Sequence, residues 1–158
     1  MSKTFKVAFI GAGNMARAHI KVFSKIKKVQ LIGIYSRTRG NAELLCSDLG
    51  VEAKILTETT LREFVGSSQL VVNTTSLGQQ EGEENNLIDF ESLDSSAHVY
   101  DLIYNPSKTT FLRHAEKNGC TVQNGLEMLI HQAAQSFKLW HDTMPEIDED
   151  LMSVLGVN

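Results

Sequence analysis

The run Gly11-Ala12-Gly13-Asn14-Met15-Ala16 constrains this chain most, because it follows a short β-branched and aromatic segment, Phe5 to Ile10, and precedes a helical pattern. A glycine at the first position permits a tight turn. A glycine at the third lets the backbone approach an anion, and a small residue at the sixth lets helix and strand pack closely. The first-turn N–H groups of such a helix lack intrahelical partners and point at whatever the turn holds. The pattern therefore predicts a pyrophosphate-binding turn, with Gly11, Ala12, Gly13, Asn14, Met15 and Ala16 as its contacts. A glycine turn can also join a strand to a helix and bind nothing, so the surroundings have to decide.

Those surroundings alternate. Met15, Ala18, Ile20, Val22, Phe23 and Ile26 recur at mostly helical intervals over Asn14 to Ile26, and Gln30 to Tyr35 is a second apolar run. Gly40 to Leu49 suits a helix closed by Gly50, Ala53 to Leu56 a strand, Thr60 to Val65 a short helix and Gln69 to Thr74 a fourth strand. Ser76 to Asn86 turns to Gly, Gln, Glu and Asn and predicts a solvated loop with room to cover a ligand. His98 to Ile103 is a strand, stopped by Asn105-Pro106 because proline lacks the ladder donor. Lys108 to Asn118 is a helix ending at Gly119, Thr121 to Gln123 a minimal last strand, and Leu126 to Trp140 a helix with Leu126, Ile130, Ala133, Phe137 and Trp140 along one stripe. Pro145 starts a final helix with Glu146, Asp148 and Glu149 in its first turn.

Repeated βα alternation predicts the α/β class: a three-layer, doubly wound, mostly parallel sheet of the Rossmann type. The expected division is one domain over residues 1–158, with C-terminal helices in 124–155 and no separate substrate domain. A length of 158 residues suits a single core. No apolar run approaches the roughly 20 residues needed to span a bilayer. A net charge of −4 gives no broad attraction to nucleic acid, and Lys21, Lys25, Lys27 and Lys28 read as a solvated face. Cys46 and Cys120 lack metal-ligand spacing, and Ser2 to Thr4 leave no room for a secretory signal, so the expected location is the cytoplasm, with no metal site.

The choice of dinucleotide rests on the residues just beyond the second strand. An acid about 20 residues past the turn would take the 2′-hydroxyl of NAD. The chain reads Tyr35-Ser36-Arg37-Thr38-Arg39 there instead. Two guanidinium groups and two hydroxyls suit a 2′-phosphate, so Ser36, Arg37, Thr38 and Arg39 predict NADP. The alternative is a solvated loop after a strand.

Residues Lys6 to Thr38, KVAFIGAGNMARAHI…IYSRT, resemble the nucleotide-binding start of the glucose-fructose oxidoreductase family. The SRT within them also resembles the NRT loop of shikimate dehydrogenases. VVNTTSLG at Val71 to Gly78, VYDLIYNPSKTTFL at Val99 to Leu112 and NGLEMLIHQAAQSFKLW at Asn124 to Trp140 resemble three successive motifs of the shikimate/quinate dehydrogenase family. That resemblance is strongest over 69–140. It implies that Asn73, Thr74 and Thr75 border the ribose and nicotinamide of the cofactor, that Ile103 and Gly125 flank the nicotinamide, and that Tyr104 and Gln132 contact hydroxyls or a carboxylate of a small polyol-acid substrate. On residue pattern alone, Tyr104 also reads as a capped surface aromatic and Gln132 as a helix residue beside an apolar stripe. His131 has no Ser/His/Asp or metal-ligand constellation around it.

The family also implies an amino-terminal substrate domain carrying a serine pair and a catalytic Lys/Asp pair. With the glycine turn at residue 11, no residue here takes those roles, and no catalytic residue is assigned. Glu127 stands where the family's GLGML turn has glycine. Three readings are open: the NADP-binding half of a shikimate-dehydrogenase-like oxidoreductase, inactive alone unless a partner domain is supplied; a hybrid of two oxidoreductase families joined near 60–69; or a nucleotide-sensing or structural module. Apolar Phe137, Leu139 and Trp140 predict either a homodimer or a tail repacked over the cleft.

Overall fold

Phe5–Ile10 forms strand β1, and its residues face both ways: Val7 and Phe9 on one side, Ile10 on the other, all essentially inaccessible. A strand buried on both faces belongs in the middle of a parallel sheet. In the computed structural model, which describes residues 4–80, 83–84 and 87–155, β1 does lie there. It pairs in parallel with β2 (Val29–Tyr35) on one side and β4 (Leu70–Asn73) on the other. Strand β3 (Lys54–Leu56) extends the sheet beyond β2, while β5 (His98–Asp101) and β6 (Thr121–Gln123) extend it beyond β4. The order is β3-β2-β1-β4-β5-β6, with every pairing parallel. That is the doubly wound arrangement, whose order reverses between β1 and β4.

Helices cover both faces. Helix α1 (Asn14–Phe23) buries Ala16 and Ile20, and α2 (Arg39–Leu49) buries Ala42 and Leu45, against Val7, Phe9, Ile34 and Val72. On the opposite face α3 (Glu58–Gly66) contributes Leu61 and Val65, and α4 (Thr110–Lys117) contributes Phe111, Leu112 and Ala115. These pack on Ile10, Tyr35, Val71 and Val99. The three-layer expectation is met.

Several boundaries differ from the sequence reading for local reasons. Helix α1 stops at Phe23 rather than Ile26 because Lys25 and Ile26 donate to Val22 and Phe23, tightening the last turn. Helix α4 starts at Thr110, two residues late, because the Thr109 hydroxyl accepts from the Leu112 N–H. The last helix, α6 (Glu149–Val154), does not start at Pro145; Asp148 caps it through the Leu151 N–H. Gly50, in the left-handed region at φ 60°, closes α2 as expected. A 3₁₀ turn at Phe90–Ser92 has no sequence signal, yet Ile88 and Leu93 beside it are core residues, and Phe90 meets Phe111 edge-on at 5.3 Å. Four residues of the Ser76–Asn86 loop, 81, 82, 85 and 86, lie outside the described residues, as do residues 1–3 of the leading segment and residues 156–158.

Helix α5 (Leu126–His141) departs most. It buries Ile130 and Ala134, while Leu139 and Trp140 are 84% and 77% exposed. Trp140 is therefore not on the buried side. The tail residues Pro145, Ile147, Leu151 and Leu155 line an apolar groove together with Leu126, Leu129, Ala133 and Phe137, so the tail runs alongside α5 with that groove between them. Among the described residues, no helix is long and apolar enough to cross a membrane.

Phe9 is fully buried and packs edge-on against Phe23 at 5.6 Å, whereas Phe5 is half exposed. Phe9→Ala is expected to cost about 3–5 kcal/mol in urea unfolding and Phe5→Ala less than about 1 kcal/mol. Equal losses would contradict this placement of the core.

Candidate functional site

The strand order reverses at the carboxyl end of β1, and neighbouring loops diverge there to leave a crevice. The end of β1 is tied to both neighbours. Gly11 donates its N–H to the Tyr35 carbonyl at 2.8 Å, and the Thr74 N–H and hydroxyl both donate to the Ile10 carbonyl at 2.8 Å. Gly11 has φ +112°, and a Cβ there would collide with Thr74 Oγ1. Its glycine serves the turn itself. Gly13 differs: its φ of −88° is open to any residue, and a Cβ there would meet nothing within 4 Å. It stands at the N-terminus of α1, where no side chain caps the helix and the first turn holds no acid. An open space before uncapped helix N–H groups is what an anion needs. Ala16 is fully buried and lets α1 lie close to the sheet.

A cleft of about 350 Å³ runs from this turn to the loop after β2. Gly11, Ala12 and Gly13 form one end, and Ser36, Arg37 and Thr38 the other. Arg39 is not among them; its Nε is 2.7 Å from Glu43 Oε1, one turn along α2. Asn41 takes a place in the lining that the sequence reading does not assign. Its signal is position: a polar residue in the first turn of the helix that starts at this loop.

A second cavity, of about 560 Å³, shares Thr74, Thr75 and Ser76 with the first. It brings Ile103, Tyr104 and Gln132 together with Met15, and Met128 and Leu129 complete an apolar wall. Gly125 is not in the lining. It is buried at the start of α5, donates to the Ile103 carbonyl at 3.1 Å, and leaves no room for a Cβ beside the Leu102 carbonyl oxygen. Asn14 is exposed at the first turn of α1. Glu127 accepts a hydrogen bond from Gln123 at 2.8 Å and lies outside both cavities.

Asn73 is also not in the lining, being fully buried. Its Nδ2 donates to Asp101 Oδ1 at 3.0 Å, and its Oδ1 accepts from the Thr75 N–H and hydroxyl at 3.1 and 2.8 Å. Asp101 further accepts from the Ile103 N–H at 3.1 Å and the Thr109 hydroxyl at 2.7 Å. Burial raises its carboxyl above the ordinary aspartate value, with the Thr109, Ile103 and Asn73 bonds pulling the other way. Asp101 is not among the residues expected at the site from the sequence, although a carboxylate inside an apolar strand run requires buried donors. Among the described residues, no group of three or more His, Cys, Asp or Glu side chains is placed to hold a metal ion.

Residues 5–87 match the family described as oxidoreductase family, NAD-binding Rossmann fold, and residues 125–155 match the shikimate 5′-dehydrogenase C-terminal domain. Shikimate dehydrogenase (NADP(+)) of Cereibacter sphaeroides is 38% identical over 140 residues, which cover 89% of this chain and 50% of that protein. The protein of the same name from Alkaliphilus oremlandii is 40% identical over 154 residues, covering 92% and 53%. Shikimate 5-dehydrogenase from Listeria monocytogenes, solved in complex with shikimate and NAD, superposes with a TM-score of 0.81 at 26% identity, over 97% of this chain and 56% of that one. The chain thus spans about half the length of the curated relatives it matches.

The two glycines of the turn separate by experiment. Gly11→Ala is expected to lower stability by more than about 2 kcal/mol through its positive φ and the Thr74 collision, and Gly13→Ala by no more than about 1 kcal/mol. Thermal and urea unfolding of both variants check this; similar losses would contradict the division of roles.

Proposed function

The chain belongs to the oxidoreductases with an NAD-binding Rossmann fold, and from that premise we propose that it binds NADP(H) as the cofactor half of a shikimate-dehydrogenase-like oxidoreductase. One observation carries this reading: a single cleft joins an open, uncapped helix N-terminus at Gly13 to a loop bearing Arg37, Ser36 and Thr38 in place of an acid. The pyrophosphate would lie on the first turn of α1, and the 2′-phosphate between the Arg37 guanidinium and the Ser36 and Thr38 hydroxyls. Asn41 is a further donor at that end. Arg39, paired with Glu43, would contribute charge at a distance rather than contact.

Bound there, a nicotinamide dinucleotide supplies hydride transfer. Thr74, Thr75 and Ser76 stand where the two cavities meet, so they would border its inner ribose and nicotinamide. Ile103 would lie against the ring, and Gly125 would set the wall through its bond to the Ile103 carbonyl. Tyr104 and Gln132 offer a hydroxyl and an amide to a small polyol acid in the same cavity. Reduction of a carbonyl also needs a group that protonates the developing alkoxide. The described lining of this cavity carries no charged side chain. We therefore assign the chain cofactor binding and, on its own, little turnover of shikimate or quinate.

Calorimetric titration with NADPH and NADH tests the cofactor reading. NADPH is expected to bind more tightly by at least about tenfold, and Arg37→Ala to remove that preference, the size expected for one lost charge-assisted contact. A folded chain that binds neither cofactor would overturn the proposal, and equal affinities would remove the NADP assignment. Oxidation of shikimate or quinate by the isolated chain is expected to stay far below ordinary enzyme rates; turnover of about 1 per second or more would refute that part.

A further inference from the structure

Resting on the cofactor reading above, we infer that Asp101 is a positioning residue for the nicotinamide half of the dinucleotide, holding the two walls of the second cavity in register. The carboxylate is fully buried at the end of β5, and among the described residues it is in no ion pair. Such a group is held by hydrogen bonds or not at all. Its three donors come from three different pieces of chain: Asn73 at the end of β4, the Ile103 N–H after β5, and Thr109 at the start of α4.

The first two lead directly to the cavity. Asn73 passes the constraint to Thr75, whose N–H and hydroxyl both donate to Asn73 Oδ1, and the Thr75 hydroxyl accepts in turn from the Leu77 N–H at 3.3 Å. Ile103 lines the opposite wall, and its carbonyl receives the Gly125 N–H, which fixes the start of α5. One carboxylate thus sets the spacing between the Thr75 wall and the Ile103 wall. The far end of the first cleft is built differently. Ser36, Arg37, Thr38 and Asn41 follow β2 and open α2, and none of Asp101's hydrogen bonds reaches them. Loss of the carboxylate should therefore loosen the nicotinamide end and leave the 2′-phosphate end intact. A role confined to folding would lower both together.

The test compares NADPH with adenosine 2′,5′-bisphosphate, which carries the adenosine and 2′-phosphate but no nicotinamide. By calorimetry on the full chain, Asp101→Ala is expected to lower the ratio of NADPH to bisphosphate affinity about tenfold, with bisphosphate affinity kept within about twofold. An unchanged ratio, or equal loss for both ligands, overturns the positioning role while leaving the cofactor reading in place. A wild-type chain that binds both ligands equally also overturns it, because no nicotinamide contact then exists to be positioned. A wild-type chain that binds neither ligand defeats the cofactor reading, and this inference with it. Should Asp101→Ala lack a cooperative melt, Asn73→Ala removes the link to Thr75 and one donor to Asp101, and leaves Asp101 its other two donors. It is expected to lower the ratio at least about threefold, and an unchanged ratio in that variant overturns the inference.

Discussion

Strand β1 is hydrogen-bonded on both edges and covered on both faces, and the cleft depends on how that strand ends. Its last carbonyl, on Ile10, receives two donors from Thr74, while the next N–H, on Gly11, goes to Tyr35. The chain leaving β1 is thereby pinned between β2 and β4 before it turns into α1. The turn has to pass over Thr74 with no Cβ, at a φ that L side chains rarely adopt. Once it does, α1 starts in front of open space with its N–H groups uncapped. The open, uncapped helix start follows from sheet pairing, and sheet pairing is driven by the burial of Val7, Phe9 and Ile10 on both faces.

A different economy governs the other side of the reversal. Strands β4 and β5 end in Asn73 and Asp101, two polar residues with no solvent access. Neither could stay buried without partners, and each supplies what the other lacks: the amide N–H of Asn73 meets the carboxylate, and its carbonyl meets Thr75. Because every side-chain polar atom in this network has a partner, it orders the loops it joins. Hydrophobic packing orients helices over a broad surface, but a satisfied buried network fixes individual loop backbones. The cleft uses both: apolar layers hold α1 and α2, and polar bonds hold the Thr75 and Ile103 segments.

The parts of this structure that are legible in the sequence are those written in periodicity. Phe5 to Ile10 reads as a buried strand because its apolar residues fill both faces, and the βα alternation after it implies the doubly wound sheet. The glycine turn is legible because spacing and context coincide. The hidden parts depend on side-chain direction, which spacing does not encode. Arg37 and Arg39 look equivalent on paper, yet Arg39 sits four residues before Glu43 on a helix and pairs with it. Asn73 lies in a motif with Thr74 and Thr75, but it is the last residue of β4, a strand covered on both faces, so either side of the strand buries it. Trp140 sits on the expected stripe of α5, but the tail residues opposite the helix accompany it only as far as Phe137, so the stripe runs beyond its cover. Phe90 joins the core through a 3₁₀ turn too short to leave a period.

Sharing of Thr74, Thr75 and Ser76 between the two cavities has a structural consequence for any ligand long enough to occupy both. These residues come immediately after β4, so their backbone is set by the same sheet that places the glycine turn, and Thr74 touches both β1 and Gly11. A dinucleotide laid across the reversal would meet one continuous rigid edge from the Gly13 turn to the Ile103 wall. Its phosphates would be held by helix N–H groups and its far ring by a wall that Asp101 fixes. Rigid placement of a reacting ring is what proximity in a hydride transfer requires, since the reacting atoms have to sit within about 3.5 Å of each other. For such a ligand the sheet would supply orientation, and an acid–base step would need groups outside the neutral described lining of the second cavity.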